Sequence, residues 1–321
     1  MITPFIKYVN ALYSGYSFLI SSLTGKSEIS GMPVSVSAEL TNCCNLNCPE
    51  CNSGSGIMTR SRGYMDIDLF SKVIEEISPF LFNINLYFQG EPMLHPKFFT
   101  FLRKCRNIHT TVSTNGHFLS EENAEKLVES GLNRIIVSLD GFDQESYSAY
   151  RKNGDISKVL EGIKNISEAK KRASSSIKLV IQFLVNRNNE HQIDDVRHYA
   201  RKMNASFSLK SMQIINKEKI GSWLPSLRKY KRYEHDGNEY RIKNRFPNRC
   251  ARLWFNPVIS WDGKVLPCCF DKDAEYIMGD LNEDSFRDIW SGPRYRIFRK
   301  SILSNRSMTQ ICRNCTSGLE I

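Results

Sequence analysis

Apolar positions along the chain follow two rhythms. Near the N-terminus Phe5, Val9, Leu12, Tyr16, Leu19 and Leu23 recur at spacings of three and four, which predicts an amphipathic helix. From residue 34 onward, short runs rich in β-branched and aromatic residues alternate with longer runs of helical period. Val34–Leu40, Asn83–Phe88, Thr110–Ser113, Arg134–Ser138, Lys178–Val185 and Ser206–Lys210 read as strands. Ile67–Ile77, Lys97–Asn107, Glu121–Ser130, Gln144–Arg151, Ile156–Arg172 and Glu190–Met203 read as the intervening helices, with Ser120 and Asp143 where N-caps belong. This alternation implies βαβ units around a parallel sheet, so the fold class is α/β: a partial (β/α)6 TIM-like barrel.

The pattern weakens between Phe207 and Asn248, where Gly221, Pro225, Gly237 and many charges intervene. Four parts are expected: an N-terminal helix over 1–33, the barrel over 34–225, a basic linker over 226–248 and a small C-terminal domain over 249–321. In the last part Pro257 to Pro267 is hairpin-like, with Asp262-Gly263 as a tight-turn signal, and helices are expected near Ser285–Trp290 and Tyr295–Ser304. At the other end, Lys7 precedes the apolar stretch Ala11 to Leu23, but Ser14, Gly15, Ser17, Ser21 and Ser22 dilute it and it is too short to span a bilayer. Its apolar side is expected to pack on the body of the protein; peripheral contact with a membrane surface is the lesser alternative.

Hydrophobic content of 41% and charged content of 24% are those of an ordinary globular protein and exclude disorder. The balance of 44 basic to 34 acidic residues gives a net charge of +10. Part of that excess is local, with eight Lys or Arg against three acids between Arg228 and Arg249, interleaved with Tyr230, Tyr233, Tyr240 and Phe246. A solvated linker is the expected reading, although such a segment could grip a phosphate, an acidic peptide or a nucleic acid. The ten cysteines bunch as 43/44/48/51, 250/268/269 and 312/315, with Cys105 alone at an apolar position of a predicted helix. Bunching favours metal over disulfides, and iron-bound thiolates need a reducing compartment, which points to the cytoplasm.

Cys44, Cys48 and Cys51 fall in the pattern Cys-x3-Cys-x2-Cys. Three thiolates in one short loop can hold three irons of a cubane and leave the fourth open, whereas a structural zinc closes all four positions. Cys43 is then a spare thiol. This loop follows the first strand; Gly90-Glu91-Pro92 follows the second, Thr114-Asn115-Gly116 the third, and Ser138-Leu139-Asp140-Gly141 ends the fourth. All four motifs therefore meet at the C-terminal rim, where parallel barrels carry their chemistry.

The run Cys44-Asn-Leu-Asn-Cys48-Pro-Glu-Cys51, together with Gly-Glu-Pro and Thr-Asn-Gly, resembles the radical S-adenosylmethionine superfamily, and the tail resembles its SPASM/twitch auxiliary-cluster extension. The resemblance covers roughly residues 34–321. It implies a 4Fe-4S cluster that, once reduced, cleaves S-adenosylmethionine to methionine and a 5'-deoxyadenosyl radical. It also implies hydrogen abstraction from a peptide or a small polar or phosphorylated substrate, and a reducing partner such as flavodoxin or ferredoxin.

On the same resemblance Glu91 would take the amino group of S-adenosylmethionine, with Gly90 allowing close backbone approach and Pro92 stiffening the turn. Ser138 would meet the methionyl carboxylate with Arg151 as its charge partner, Asn115 and Asp140 would bond the ribose or order their turns, and Gln182 would point into the barrel. Two departures stand out. Glu50 occupies a position where an apolar residue commonly covers adenine, so stacking is not expected there, and Gln89 stands where glycine is common.

In the tail, Cys250, Cys268, Cys312 and Cys315 would hold one auxiliary 4Fe-4S cluster that relays electrons, with Cys269 as the alternative to Cys268. The rival from another class is a non-catalytic zinc or iron–sulfur module that binds an acidic partner or nucleic acid.

Overall fold

The computed structural model describes residues 2–243 and 247–315. In chain order the barrel part contains α1 (Ile2–Thr24), β1 (Ser35–Ala38), α2 (Asn52–Ser55), α3 (Ile67–Ile77), β2 (Asn83–Asn85), α4 (Phe98–Lys104), β3 (His109–Thr114), α5 (Glu121–Glu129), β4 (Arg134–Ser138), α6 (Gln144–Tyr150), α7 (Ile156–Arg172), β5 (Lys178–Val185), α8 (Ile193–Lys202) and β6 (Ser206–Ser211). There follow α9 (Ile220–Trp223), β7 (Tyr233–His235), β8 (Tyr240–Ile242), α10 (Arg252–Phe255), β9 (Val258–Ile259), β10 (Lys264–Leu266), β11 (Gly279–Asp280), α11 (Phe286–Ser291) and α12 (Pro293–Asn305).

Strands β1 to β6 lie side by side in chain order, all parallel, as a partial barrel requires. Their alternate residues separate two environments. Val36, Ile84, Val112, Ile135, Val137, Leu179, Ile181 and Phe183 point outward into one continuous core with Phe70, Phe101, Leu127, Val159, Ile163 and Val196 of the surrounding helices. Burial of this face is what closes the helices onto the sheet. Local chemistry sets where helices begin: Asp66 accepts from Asp68 and Leu69 N at the start of α3, Ser120 from Asn123 N at α5, and Asp143 from Ser146 N at α6. Cys105 is fully buried in this core, and burial pushes its thiol up to about 12.

Two expectations are corrected. First, α4 ends at Lys104 rather than Asn107, because Cys105 N turns back to Leu102 O and Ile108 N to Cys105 O. The C-terminal part continues the same sheet: β9 pairs parallel with β1 through Ser37↔Val258, and β10 and β11 extend the sheet antiparallel to give nine strands. Its β9–β10 hairpin turns at Gly263, whose φ of 86 favours glycine. Within the basic segment, β7 and β8 form a hairpin in which Arg228 pairs with Glu234, and Arg241 with Asp236 and Glu239, so its charge is partly neutralised within the hairpin.

The second correction concerns α1. The helix is present, but most of its predicted apolar stripe faces away from the protein: Phe5, Leu12, Tyr16, Leu19 and Leu23 are exposed and Val9 is half-buried, while Asn10, Ser14, Ser17 and Ser21 are buried and Phe18 packs on Trp254 and Phe255. Hydrogen bonds to the chain at residues 28–32 explain the inversion. Asn10 Nδ2 donates to Met32 O at 2.9 Å and its Oδ1 accepts from Met32 N at 2.8 Å; Ser14 Oγ donates to Met32 O, and Ser17 and Ser21 accept from Ser30 N and Glu28 N.

Candidate functional site

The cysteine loop between β1 and α2 is held against the ends of the neighbouring strands. Glu91 N donates to Cys43 O at 2.8 Å. Gly90, with φ of 73, lies so close that a Cβ would sit 2.6 Å from the carbonyl oxygens of both Thr41 and Cys43. The close approach that needs glycine is therefore that of the cysteine loop's own backbone. Pro92 opens the short helical turn that follows, with Glu91 as its cap.

Glu91 is buried and ties three strand ends together. Its Oε1 accepts from Thr114 Oγ1 at 2.9 Å and Met93 N at 3.1 Å, and its Oε2 from Asn115 N at 2.7 Å. Two donors occupy Oε1 and one occupies Oε2, so one acceptor direction on Oε2 remains for a ligand. Burial pushes its carboxyl up to about 7 against the pull of these donors. Asn115 continues the link: its Nδ2 donates to Asn45 Oδ1 at 2.7 Å and lies 3.9 Å from Cys44 Sγ.

Arg151 approaches the loop from the other side. Its Nη1 stands 3.9 Å from Cys48 Sγ, while Nε and Nη2 both reach Asp140 Oδ2 at 2.6 Å. Asp140 is fully buried, and its Oδ1 accepts from Leu184 N at 2.6 Å. The two residues thus act together, Asp140 orienting the guanidinium toward the cysteines. Burial pushes the Cys44 thiol up to about 12 and also raises Cys48, with Arg151 opposing the latter. Iron binding must therefore displace protons from both. Among the described residues no three His, Cys, Asp or Glu side chains close around a single ion. A cubane asks for something else, one thiolate at each of three separated irons, and the loop offers a donor set of that kind.

Glu50, which sequence reasoning treated only as a missing stacking partner, is buried and accepts from Ile215 N at 2.6 Å and Asn216 N at 3.2 Å. It fastens the cysteine loop to the chain beyond β6. A second fastening joins the loop's far end to the C-terminal part. Arg60 pairs with the fully buried Glu39 through contacts of 2.6 and 2.7 Å and donates from Nε to Lys272 O; Thr59 N and Oγ1 bond Asp273. Glu39 also accepts from Trp261 N. No sequence signal marked either, because both join segments that are distant along the chain.

The inner face of the strands is polar, unlike the packed aliphatic interior of a closed barrel. Asn85 Nδ2 donates to Ser37 Oγ across β1 and β2. Ser138 and Gln182 are register partners on β4 and β5, and among the described residues neither side chain has a hydrogen-bond partner. Lys210, beside Leu184 in register, is reachable by solvent along this lumen yet walled by protein, and that confinement lowers its ammonium pKa. Lys272 is lowered to about 8 by desolvation, with Lys210 and Arg232 pushing the same way and Cys51 opposing. Tyr87 is raised by burial and by Cys269, against Arg134 and Arg252. Lys210, Arg252 and Lys272 thus all lie within electrostatic reach of Cys269.

In the C-terminal part Cys250, Cys268, Cys312 and Cys315 line one small, closely packed pocket. Leu253, Phe270, Phe298, Ile302 and Ile311 supply apolar walls, and Arg252 and Arg306 supply positive charge. Cys269 is not among the lining residues. Four thiols around an apolar, cation-flanked pocket suit an anionic iron–sulfur cluster.

Residues 38–200 match the radical SAM superfamily, and residues 250–316 match SPASM, an iron-sulfur cluster-binding domain. The chain belongs to the radical SAM superfamily and carries a C-terminal SPASM domain. It is an enzyme, and its cofactors are S-adenosylmethionine and 4Fe-4S clusters; the reading as a non-catalytic module is set aside.

Among its relatives is the tungsten-containing aldehyde ferredoxin oxidoreductase cofactor-modifying protein of Pyrococcus furiosus, 24% identical over 310 residues that cover 87% of this chain and 86% of that protein. PqqA peptide cyclase of Gluconobacter oxydans is 24% identical over 312 residues, covering 88% and 82%. The solved structure of native anSMEcpe with bound AdoMet shares the fold at a TM-score of 0.62 and 18% identity, covering 89% of each chain. Among the described residues no helix is long and apolar enough to cross a membrane.

Proposed function

We propose that Cys44, Cys48 and Cys51 hold the cluster that engages S-adenosylmethionine, and that Cys250, Cys268, Cys312 and Cys315 hold an auxiliary cluster that relays electrons. The observation that carries the reading is the convergence of the cysteine loop, Glu91, Asn115, Arg151 and the open Ser138–Gln182 pair at one rim. The chemistry supplied there when cluster and cofactor are bound is reductive cleavage of S-adenosylmethionine and hydrogen abstraction from substrate. The remaining Oε2 direction of Glu91 receives the cofactor's amino group. Ser138 and Arg151 receive its carboxylate, with Asp140 keeping the guanidinium in place. Asn115 positions the cysteine loop and Gln182 lines the space beyond.

The substrate is a peptide or small polar molecule bearing negative charge. Lys210, Arg252 and Lys272 put positive charge around Cys269, whereas Asp140 and Glu39 are already paired with arginines and Asp271 with the backbone N–H groups of Glu275 and Tyr276. A phosphorylated metabolite or an acidic peptide segment satisfies that excess. PqqA peptide cyclase, by its name, acts on a peptide, which supports the peptide version. A small reduced carrier such as flavodoxin or ferredoxin supplies the electron. The domain limits are those of the sequence reading, with 226–248 joining the barrel to the SPASM part.

The test is anaerobic reconstitution with iron and sulfide, followed by dithionite and S-adenosylmethionine. Formation of 5'-deoxyadenosine that is lost in Cys48→Ala is expected; equal formation in the variant refutes the assignment. Deuterium carried into 5'-deoxyadenosine from labelled anionic candidates, and reduced in Lys210→Gln, identifies the substrate class. Transfer from a neutral substrate unaffected by Lys210→Gln refutes that part.

A further inference from the structure

The outward side of α1 is a single apolar stripe. Phe5 is 71% exposed, Tyr8 64%, Leu12 74%, Tyr16 60%, Leu19 55% and Leu23 73%. Their spacings of three and four place them along one line of the helix, about 27 Å from first to last at the usual rise per residue. Side chains of this size present on the order of 800 Å² together, above the roughly 300–600 Å² of the largest apolar patch on a typical monomer. The helix cannot roll over to hide the stripe, because Asn10, Ser14, Ser17 and Ser21 fix its rotation through bonds to residues 28–32. Gly31 passes so close that a Cβ there would meet Ser14 Oγ at 2.3 Å.

We infer that α1 is an interfacial anchor that lies along the surface of an anionic lipid bilayer, its stripe buried in the boundary between headgroups and acyl chains. Three features select this occupant over a second copy of the chain. The helix contains no acid, and its one charged residue is Lys7. Tyr8 and Tyr16 combine an apolar ring with a polar tip, the side-chain type that settles at membrane–water interfaces. The net charge of +10 draws the protein to anionic lipid and sets two copies against each other. One apolar side, with the other docked on protein, means lying on a bilayer rather than crossing it.

The test is flotation of the full-length, cluster-loaded protein with vesicles of phosphatidylcholine and phosphatidylglycerol. Binding is expected, and Leu12→Ser/Leu19→Ser/Leu23→Ser should reduce the bound fraction at least tenfold while lowering the melting temperature by no more than a few degrees, since the three side chains are mostly in water and the change is one of helix propensity. If the triple variant is unstable, Leu12→Trp replaces it: its added fluorescence should be quenched by bromine-labelled lipid in the same vesicles. No vesicle binding, undiminished binding by a stable triple variant, absence of that quenching, or a wild-type dimer by light scattering that the substitutions dissolve would each overturn the anchor.

Discussion

Removing the guanidinium of Arg60 should leave a buried negative charge without its counter-ion. Glu39 is fully buried and the Arg60 side chain only 10% exposed. Breaking such a pair from one side costs about 3–5 kcal/mol, because the remaining charge keeps its desolvation penalty. At about 2 °C per kcal/mol for a chain of this size, Arg60→Ala should lower the melting temperature by about 6–10 °C.

Glu39 also supplies an internal control. Burial already raises its carboxyl in the native protein despite the opposing Arg60, so the variant raises it further above its unfolded value. A carboxyl raised on folding binds protons in the native state that the unfolded state lacks, so stability falls as pH rises from the unfolded pKa toward the folded one. The deficit of Arg60→Ala should therefore be smaller at pH 5 than at pH 8. Glu39→Gln/Arg60→Ala, with no charge to desolvate, should recover about half of the loss. Thermal unfolding of anaerobically purified protein, followed by intrinsic fluorescence, reads all three. A single variant as stable as the parent, or a double variant no better than the single at either pH, refutes the reasoning.

Cys268→Ala should lower the iron content by about four per chain, the complement of one cubane, and Cys269→Ala should leave it unchanged; the reverse result would exchange their roles. Gly90→Ala should destabilise the protein by at least about 2 kcal/mol, combining positive φ with a Cβ pressed on two carbonyls, and reduced iron loading with a lower melting temperature would show it. Glu50→Ala strips the acceptor from Ile215 N and Asn216 N and should cost about 1–3 kcal/mol, which denaturant titration measures.

What the chain determines alone is whatever depends on neighbours in sequence. The spacing of Cys44, Cys48 and Cys51 puts three thiols in one short loop whatever surrounds it, and the alternation of strand and helix periods sets a parallel α/β barrel. Caps such as Ser120 and Asp143 mark their helices because the acceptor and the N–H it satisfies lie within one turn. Hydrophobic period also predicted α1, but period carries no sign. A stripe on a helix shows that two faces differ, and only the hydrogen bonds of Asn10 and Ser14 to Met32 decided that the polar one turned inward.

The same limit applies to pairings across long stretches of chain. β9 beside β1, Glu50 beneath Ile215, Arg60 between Glu39 and Lys272, and the cations gathered around Cys269 arise from contacts that no local pattern encodes. Buried charge had to find partners wherever the fold brought them, and that need was met in three dimensions.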